Sequence, residues 1–443
     1  MIIELNELKI LLTNEELAIL QGKKGSMLQK IMETVVLYGE ALNAEKLIPI
    51  EGPGHFVISF SSPGIAPSIK MLEELVAAGL RTQYPFTLDP RGALDFENLN
   101  LKPEVERALL DMYEHQDYYE QLLTKLGLRD NQAFTCNPYQ PEVGNIPDRG
   151  TILAWSESAC AIFANSVLGA RTNRNGAIMD LLSNIIGKTP LAGLLTDEGR
   201  CASWLVDIVT DDLPSPHLLG AAIGRKVMAD VPYIVGLDRF LSPDLDSFTV
   251  DYLQDMGAMC ATYGAVGLYH VENITPEAID FGQDLLKSEY STLRIDEPEL
   301  SNILDSFPQL WENEKDVPEK CFIGCPHISL RQLYWWAEAI QQELKLVGQE
   351  QVAVETILCS APQILEKFMN DKEVNLILKS AGVKLSPCCC ETIFETGLKA
   401  GHPVITNSNK LRAYSSARFL PDDELVQVLV TGELTEAAHE KDL

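Results

Sequence analysis

Basic residues are scarce in this chain. Its 443 residues carry 35 lysines and arginines against 64 aspartates and glutamates, a formal charge of −29 with histidine neutral. That balance argues against nucleic acid and against anionic membrane surfaces as partners. An anionic small molecule would need a local basic group to hold it. Long apolar runs are missing as well. The most apolar text, such as GLLTDEGRCASWLVDIV, is broken by charges within a few residues, so no membrane-spanning helix is expected. The first residues, MIIELNELKILLTNEEL, place acidic side chains where an export signal has a basic flank, and a cytoplasmic location is expected. There is no internal repeat and no low-complexity run. There is no Walker motif and no dinucleotide fingerprint; GPGHFVISFSSPG contains glycines without that spacing.

What is present is ordinary globular text, 46% hydrophobic and 22% charged. The length predicts two or three subdomains, with boundaries near 130 and 285. TNEELAIL opens with Thr13 and has Glu16 three residues on, a capping-box pattern. SMLQKIMETVVLYGEAL, SIKMLEELVAAGL and KPEVERALLDMYEHQDYYEQLLTKLGL have helical spacing, the last closed by Gly127. HFVISFSS reads as a strand. From about residue 130 a unit recurs, an apolar strand followed by a polar turn and a helix: NQAFTC, EKCFIGCPH, VAVETILCS and HPVITNS each start one. This alternation predicts an α/β fold with parallel sheets covered by helices. In such folds ligands collect beyond the carboxyl ends of the strands. Cys136, Cys325, Cys359 and Ser408 all stand at expected strand ends.

The ten cysteines lie at 136, 160, 201, 260, 321, 325, 359 and 388–390. In a long chain expected to stay in a reducing compartment they are no disulfide framework. Paired CxxC spacings are absent, which argues against a zinc ribbon. Cys160, Cys201 and Cys260 lie in apolar helical text and read as core; Cys359 stays open. Cys136 and Cys325, each close to a proline at a turn, fit ligands of a metal or cluster with an open position. Adjacent side chains diverge, so one member of Cys388–Cys390 is expected to join them. His327 would lie behind a metal-bound Cys325.

The densest polar text is WSESACAIFANSVLGARTNRNG, residues 155–176. It holds Glu157 and Ser158 where a helix would begin, Asn165 and Ser166 within it, and Arg171, Thr172, Asn173 and Arg174 in the turn that follows. Paired loop arginines can fork a carboxylate or phosphate; the plain alternative is a helix cap and a solvated loop. His55 follows a turn, and Lys410 opens a helix at a strand end. Each could meet an anion or be structural.

Taken together, TCNPYQPEVGNIPDRGTILAWSESACAIFANSVLGARTNRNG, IGCPH and TNSNKLRAYSSA resemble the catalytic chain of the aconitase X family over nearly the whole length. The resemblance implies an aconitase-like fold of stacked α/β domains and an iron-dependent hydro-lyase acting on a small 3-hydroxy acid. The substrate would be cis-3-hydroxy-L-proline, giving pyrroline-2-carboxylate, or else mevalonate 5-phosphate. It implies iron, mononuclear or in an iron–sulfur cluster, on Cys136, Cys325 and Cys388, with SPC here where the family has DTC. Glu157, Ser158 and Lys410 would be catalytic. His55, Asn165, Ser166, Arg171, Thr172, Asn173, Arg174 and Ser408 would surround the substrate. The family also uses a small swivelling domain with a glycine-flanked serine. No such motif stands here, so a separate small subunit is expected. An iron-binding scaffold without catalysis, or a thiol transferase using Cys136 or Cys325 with His327, are readings of other classes.

Overall fold

The computed structural model describes residues 8–61, 66–311, 313, 316–396 and 403–434. Its helical start follows the sequence signals. Thr13 caps the helix Asn14–Leu20, and the Glu16 carboxylate returns to accept from the Thr13 N–H at 2.6 Å. Helices Ser26–Ala41 and Ala66–Ala77 follow where expected. The long helix expected over 102–127 is instead two, Pro103–Met112 and Gln116–Leu126, the second closed by Gly127. Four short strands serve this part: β1 (Leu47–Pro49) pairs antiparallel with β4 (Lys188–Pro190), and β2 (His55–Phe56) pairs parallel with β3 (Thr87–Leu88). The expected strands HFVISFSS and NQAFTC shrink to β2 and to a single bridge between Leu88 and Phe134.

Two fully parallel sheets follow. β5 (Ala202–Ile208), β6 (Pro232–Val235), β7 (His270–Val271) and β8 (Leu286–Ile295) lie in the order β7-β6-β5-β8. β9 (Lys320–Ile328), β10 (Glu355–Ser360), β11 (Lys384–Ser386), β12 (Val404–Thr406) and β13 (Arg418–Phe419) lie in the order β11-β10-β9-β12-β13. Each sheet starts in its middle, builds outward on one side, then crosses to the other. The crossing leaves a crevice beyond the carboxyl ends of β9 and β12, the place where such sheets bind ligands. The first sheet begins after Pro190, with β5, and Ile295 and Lys320 separate it from the second. Most residues of β8 are exposed, so it lacks the apolar run that marks the other strands.

The helix Ser158–Ser166 joins the halves. Every residue from Ala159 to Ser166 is buried, as expected of a helix apolar on all sides. Ile162 and Phe163 sit in one core with Ile223 and Met256 of the four-stranded unit, although they precede that unit in sequence.

Candidate active site at the crevice of the five-stranded sheet

Strand β9 carries Cys325 into the crevice through a break in its own pairing. Lys320–Ile323 run in register beside Glu355–Leu358; the register then slips before Ile328 meets Ser360. Gly324 sits at the slip with φ +114°. A Cβ there would lie 2.2 Å from the Cys359 carbonyl oxygen, so only glycine fits. Such bulges re-aim side chains near functional sites. Strand β12 brings the next group. Beyond it Ser408 caps the helix Asn409–Tyr414, accepting from the Leu411 N–H at 3.1 Å. The Ser408 hydroxyl also donates to the Cys325 carbonyl, tying the two central strands together at their ends.

Lys410, in the first turn of that helix, points its ammonium at Glu157, with Nζ 3.0 Å from Oε1. Both side chains are buried. Glu157 is itself the cap of the helix Ser158–Ser166, its Oε2 accepting from the Cys160 N–H at 2.6 Å. Burial disfavours its charge, but the Lys410 ammonium and the Cys160 bonds outweigh this and hold its carboxyl at about 2. Lys410 is desolvated too, and the facing Glu157 charge keeps it protonated, well above the usual lysine range. The result is a permanently charged buried pair with an anion-ready ammonium.

The thiols arrive from three segments, and His327 links them. The His327 N–H lies 3.0 Å from the Cys136 sulfur. Its ring Nε2 is 3.2 Å from the Cys388 carbonyl oxygen and its Nδ1 is 3.1 Å from the Thr135 hydroxyl. Burial pushes this histidine down to about 4, so it is neutral and donates from Nε2 to the carbonyl. The 388–390 segment is pinned from the other side. The Cys389 N–H donates to Arg91 O at 2.7 Å, and Ala93 N–H to the Thr392 hydroxyl at 2.8 Å. Ser386 donates to Asp95 at 2.6 Å.

Cys136, Cys325, Cys388, Cys389, Glu157 and Lys410 thus line one cavity of about 130 Å³, with Cys390, Asp89 and Glu391 also on its wall. The three adjacent thiols differ. Cys390 lies close to Cys325, and Cys388 and Cys390 lie close to the buried Cys359. Cys389, the partly exposed one, interacts through space with both Cys325 and Cys136. Among the described residues no three donors already stand in metal-coordinating geometry, so ligation requires side-chain rotation. The donor set itself, several buried thiols and a neutral histidine behind them, suits a soft metal.

A family model described as the aconitase X first domain matches residues 9–198, and one described as the aconitase X second domain matches residues 202–305. The chain belongs to the aconitase X family. The phosphomevalonate dehydratase large subunit of Thermococcus kodakarensis is 34% identical over 336 residues, which are 75% of this chain and 78% of that protein. The cis-3-hydroxy-L-proline dehydratase of Hypocrea jecorina is 27% identical over 333 residues, 74% of this chain but 52% of that protein. The crystal structure of Thermococcus kodakaraensis aconitase X in its holo form superposes with a TM-score of 0.78 at 28% identity, covering 94% of this chain and 99% of that one. The aconitase-like fold expected from the sequence is the fold observed.

Within this aconitase X chain the expected site residues separate into two groups. Glu157, Lys410, Cys136, Cys325 and Cys388 line the cavity. Ser408 stands behind it, and Ser158 places its hydroxyl 3.4 Å from Glu157 Oε1. The second group is engaged elsewhere. Asn165 Nδ2 donates to the Thr172 and Gly267 carbonyls at 2.9 and 2.8 Å, and its Oδ1 accepts from the Thr172 N–H at 2.9 Å. Ser166 accepts from the Tyr269 N–H at 2.9 Å. Arg171 pairs with Asp197 at 2.6 Å, Asn173 donates to the Ala192 carbonyl at 2.7 Å, and Arg174 reaches the Ala265 carbonyl at 3.3 Å. This block clamps the helix Ser158–Ser166 to the four-stranded unit. His55 is buried against Trp155, with Nδ1 2.9 Å from the Thr87 hydroxyl and Nε2 unpartnered. Sequence reasoning passed over Asp89 and Glu391. Asp89 directly follows β3, a two-residue strand that the sequence did not announce.

Proposed function

We propose that this chain is the large subunit of a hydro-lyase that removes water from a small 3-hydroxy acid. The observation that carries the reading is the meeting of Cys136, Cys325 and the Cys388–Cys390 run with the Glu157–Lys410 pair on one cavity. Iron, mononuclear or in an iron–sulfur cluster, would be held by Cys136, Cys325 and a third thiol. Sequence position favours Cys388 for that third ligand; Cys389 and Cys390 on the same wall are the alternatives. Bound there, the iron supplies a Lewis acid for the departing hydroxyl.

The chain's own groups do the rest. Lys410 Nζ holds the substrate carboxylate and stabilises the charge that grows on it, and such preorganised donors contribute about 3 kcal/mol each to lowering a barrier. Glu157 keeps Lys410 charged and aimed; with its carboxyl at about 2 it is a weak base and an effective anchor. Asp89 is pushed up to about 8 by burial and by the nearby Glu157 charge. That value suits proton transfer near neutrality, and Asp89 joins the proposal in that role. Ser408 and Ser158 position Cys325 and Glu157, and Asn165, Thr172, Arg171 and their neighbours support the helix that carries Glu157.

A small swivel subunit with a catalytic serine is part of the proposal. The large-subunit names of the relatives support a partner. For the substrate, Lys410 is the one cation among the described residues on the cavity wall. One cation suits a single carboxylate, which favours cis-3-hydroxy-L-proline. Mevalonate 5-phosphate is the second reading, favoured by the higher identity to the phosphomevalonate enzymes. The thiol-transferase reading loses support because His327 Nε2 is engaged by the Cys388 carbonyl.

The test is an iron and sulfide assay of the anaerobically reconstituted chain, with Cys388, Cys389 and Cys390 each changed to serine. Both substrates are then assayed with a candidate small subunit. Iron lost in one single variant, with dehydration of one hydroxy acid, is the expected result. A wild-type chain that takes up no iron overturns the reading and advances the scaffold class.

A further inference from the structure

A second cavity, about 380 Å³, lies between the two parallel-sheet units and shares no lining residue with the thiol cavity. Four carboxylates line it from two helices: Asp251 and Asp255 from Ser247–Tyr263, and Asp422 and Asp423 from the first turn of Asp422–Thr431. Three of them have one oxygen engaged. Asp251 Oδ2 accepts from the Ser329 hydroxyl at 2.9 Å and from Arg331. Asp255 Oδ2 accepts from Gln332 at 3.0 Å, and Asp422 Oδ1 from Asn407 at 2.9 Å. The second oxygen of each takes no bond from a described residue. Two more buried residues on the wall hold unpartnered atoms, Asn407 Oδ1 and His217 Nδ1; these residues are 8% and 7% exposed. Because Asn407 donates its Nδ2 to Asp422, its Oδ1 is fixed as a free acceptor.

The inventory is therefore rich in acceptors and poor in donors. Arg331 is the single cation on the wall, and it is already paired with Asp251. Asp251 and Asp255 are buried, while Asp422 and Asp423 stand exposed at the mouth; buried acceptors such as Asn407 Oδ1 are costly unless something supplies a donor. Burial and the neighbouring Asp251 and Asp422 charges push Asp255 far above the usual carboxylate range. Tyr252, Trp335, Trp336 and Phe419 give the wall an aromatic part.

We propose that this cavity binds a small aliphatic amine, a diamine or polyamine, whose ammonium groups donate to Asp255, Asp422 and Asn407 while its methylenes lie on the aromatic wall. The volume accommodates a molecule of that size. Ammonium over an aromatic face adds a favourable cation–π contribution.

Spermidine is titrated into the full chain by calorimetry at 0.15 M NaCl, where contacts with the general surface charge are largely screened. The expected result is one site per chain and a rise in melting temperature. Asp255→Asn with Asp422→Asn weakens that site at least tenfold. A control of equal charge change on the surface, Glu104→Gln with Glu366→Gln, leaves it unchanged. Asp255→Asn alone, which replaces a carboxyl that burial already holds neutral, melts near the wild-type temperature without ligand, so lost binding is separable from lost folding. No saturable spermidine site in the wild type overturns the proposal. So does equal weakening in both double variants, or one-site binding of MgCl2 lost in the aspartate variant while spermidine gives none.

Discussion

Gly324 decides where Cys325 points, and replacing it with alanine has a computable consequence. Two penalties add. At φ +114° an L-residue is strained by about 1–2 kcal/mol, partly offset by about 0.4–1 kcal/mol from the stiffer unfolded chain. The new methyl would also meet the Cys359 carbonyl oxygen at 2.2 Å, its carbon at 3.0 Å and Cys359 Cα at 3.2 Å. All three belong to the neighbouring backbone, so no side-chain rotation relieves the overlap. Overpacking of this kind costs about 1–3 kcal/mol, for a total of about 2–4 kcal/mol. Gly348 isolates the second part, because it too has positive φ, +74°, but nothing lies within 4 Å of its Cβ position. Gly348→Ala should therefore cost about 1 kcal/mol or less. Melting of both variants by calorimetry, beside a denaturant titration, compares them. Gly324→Ala should melt roughly 2–5 °C below wild type and Gly348→Ala within about 1 °C of it. Gly324→Ala should also turn Cys325 out of line and accelerate its reaction with a thiol reagent. If both variants melt within about 1 kcal/mol of each other, backbone overlap at the slip is not what holds β9 in shape.

Three further outcomes are expected. Lys410→Met and Glu157→Gln should each lower kcat of the assembled enzyme at least tenfold, Lys410→Met also raising KM; unchanged kinetics in both would remove the pair from the reaction. Arg200 is buried and gives two bonds to Glu277, at 2.7 and 3.0 Å, and one to the Asn165 carbonyl at 2.9 Å; Arg200→Met should cost about 3–5 kcal/mol in a denaturant melt, and adding Glu277→Met should recover part of it. Asp180 is fully buried with Oδ2 unpartnered, and burial pushes its carboxyl to about 7 from an ordinary 3.8; its proton stays on in the folded state and leaves the unfolded chain first, so it favours folding less and less as pH rises from about 4 to 7. Asp180→Asn removes that slope, so the stability difference between variant and wild type should grow across this window and level off above it; a pH-independent difference would contradict the assignment.

Much of the five-stranded unit was legible because its strands are apolar runs ended by a turn and a helix start. β9, β10 and β12 and their helices follow the text closely, and with them the positions of Cys325 and Ser408. The first 190 residues read less well. HFVISFSS has strand composition but pairs only through His55 and Phe56, since its partner Thr87–Leu88 is equally short. β8 was hidden for the opposite reason, being an edge strand with exposed residues. At the site, residue type alone could not tell an arginine that holds a ligand from one that holds a carbonyl. Arg171 and Arg174 looked like anion binders, and three-dimensional pairing gave them protein partners. Asp89 was missed because a lone aspartate before proline reads as a turn.

The cavity draws on Cys136, Cys325 and the 388–390 run, and this spacing orders events in time. Between Cys136 and Cys390 the ribosome adds 254 residues, which takes roughly 10–50 s at about 5–20 residues per second. Throughout that interval Cys136 waits without its companions. Anything requiring all three thiol segments is installed only on a chain that has grown past residue 388, and a truncated product ending before residue 388 keeps an unfinished cavity however well its four-stranded unit has folded.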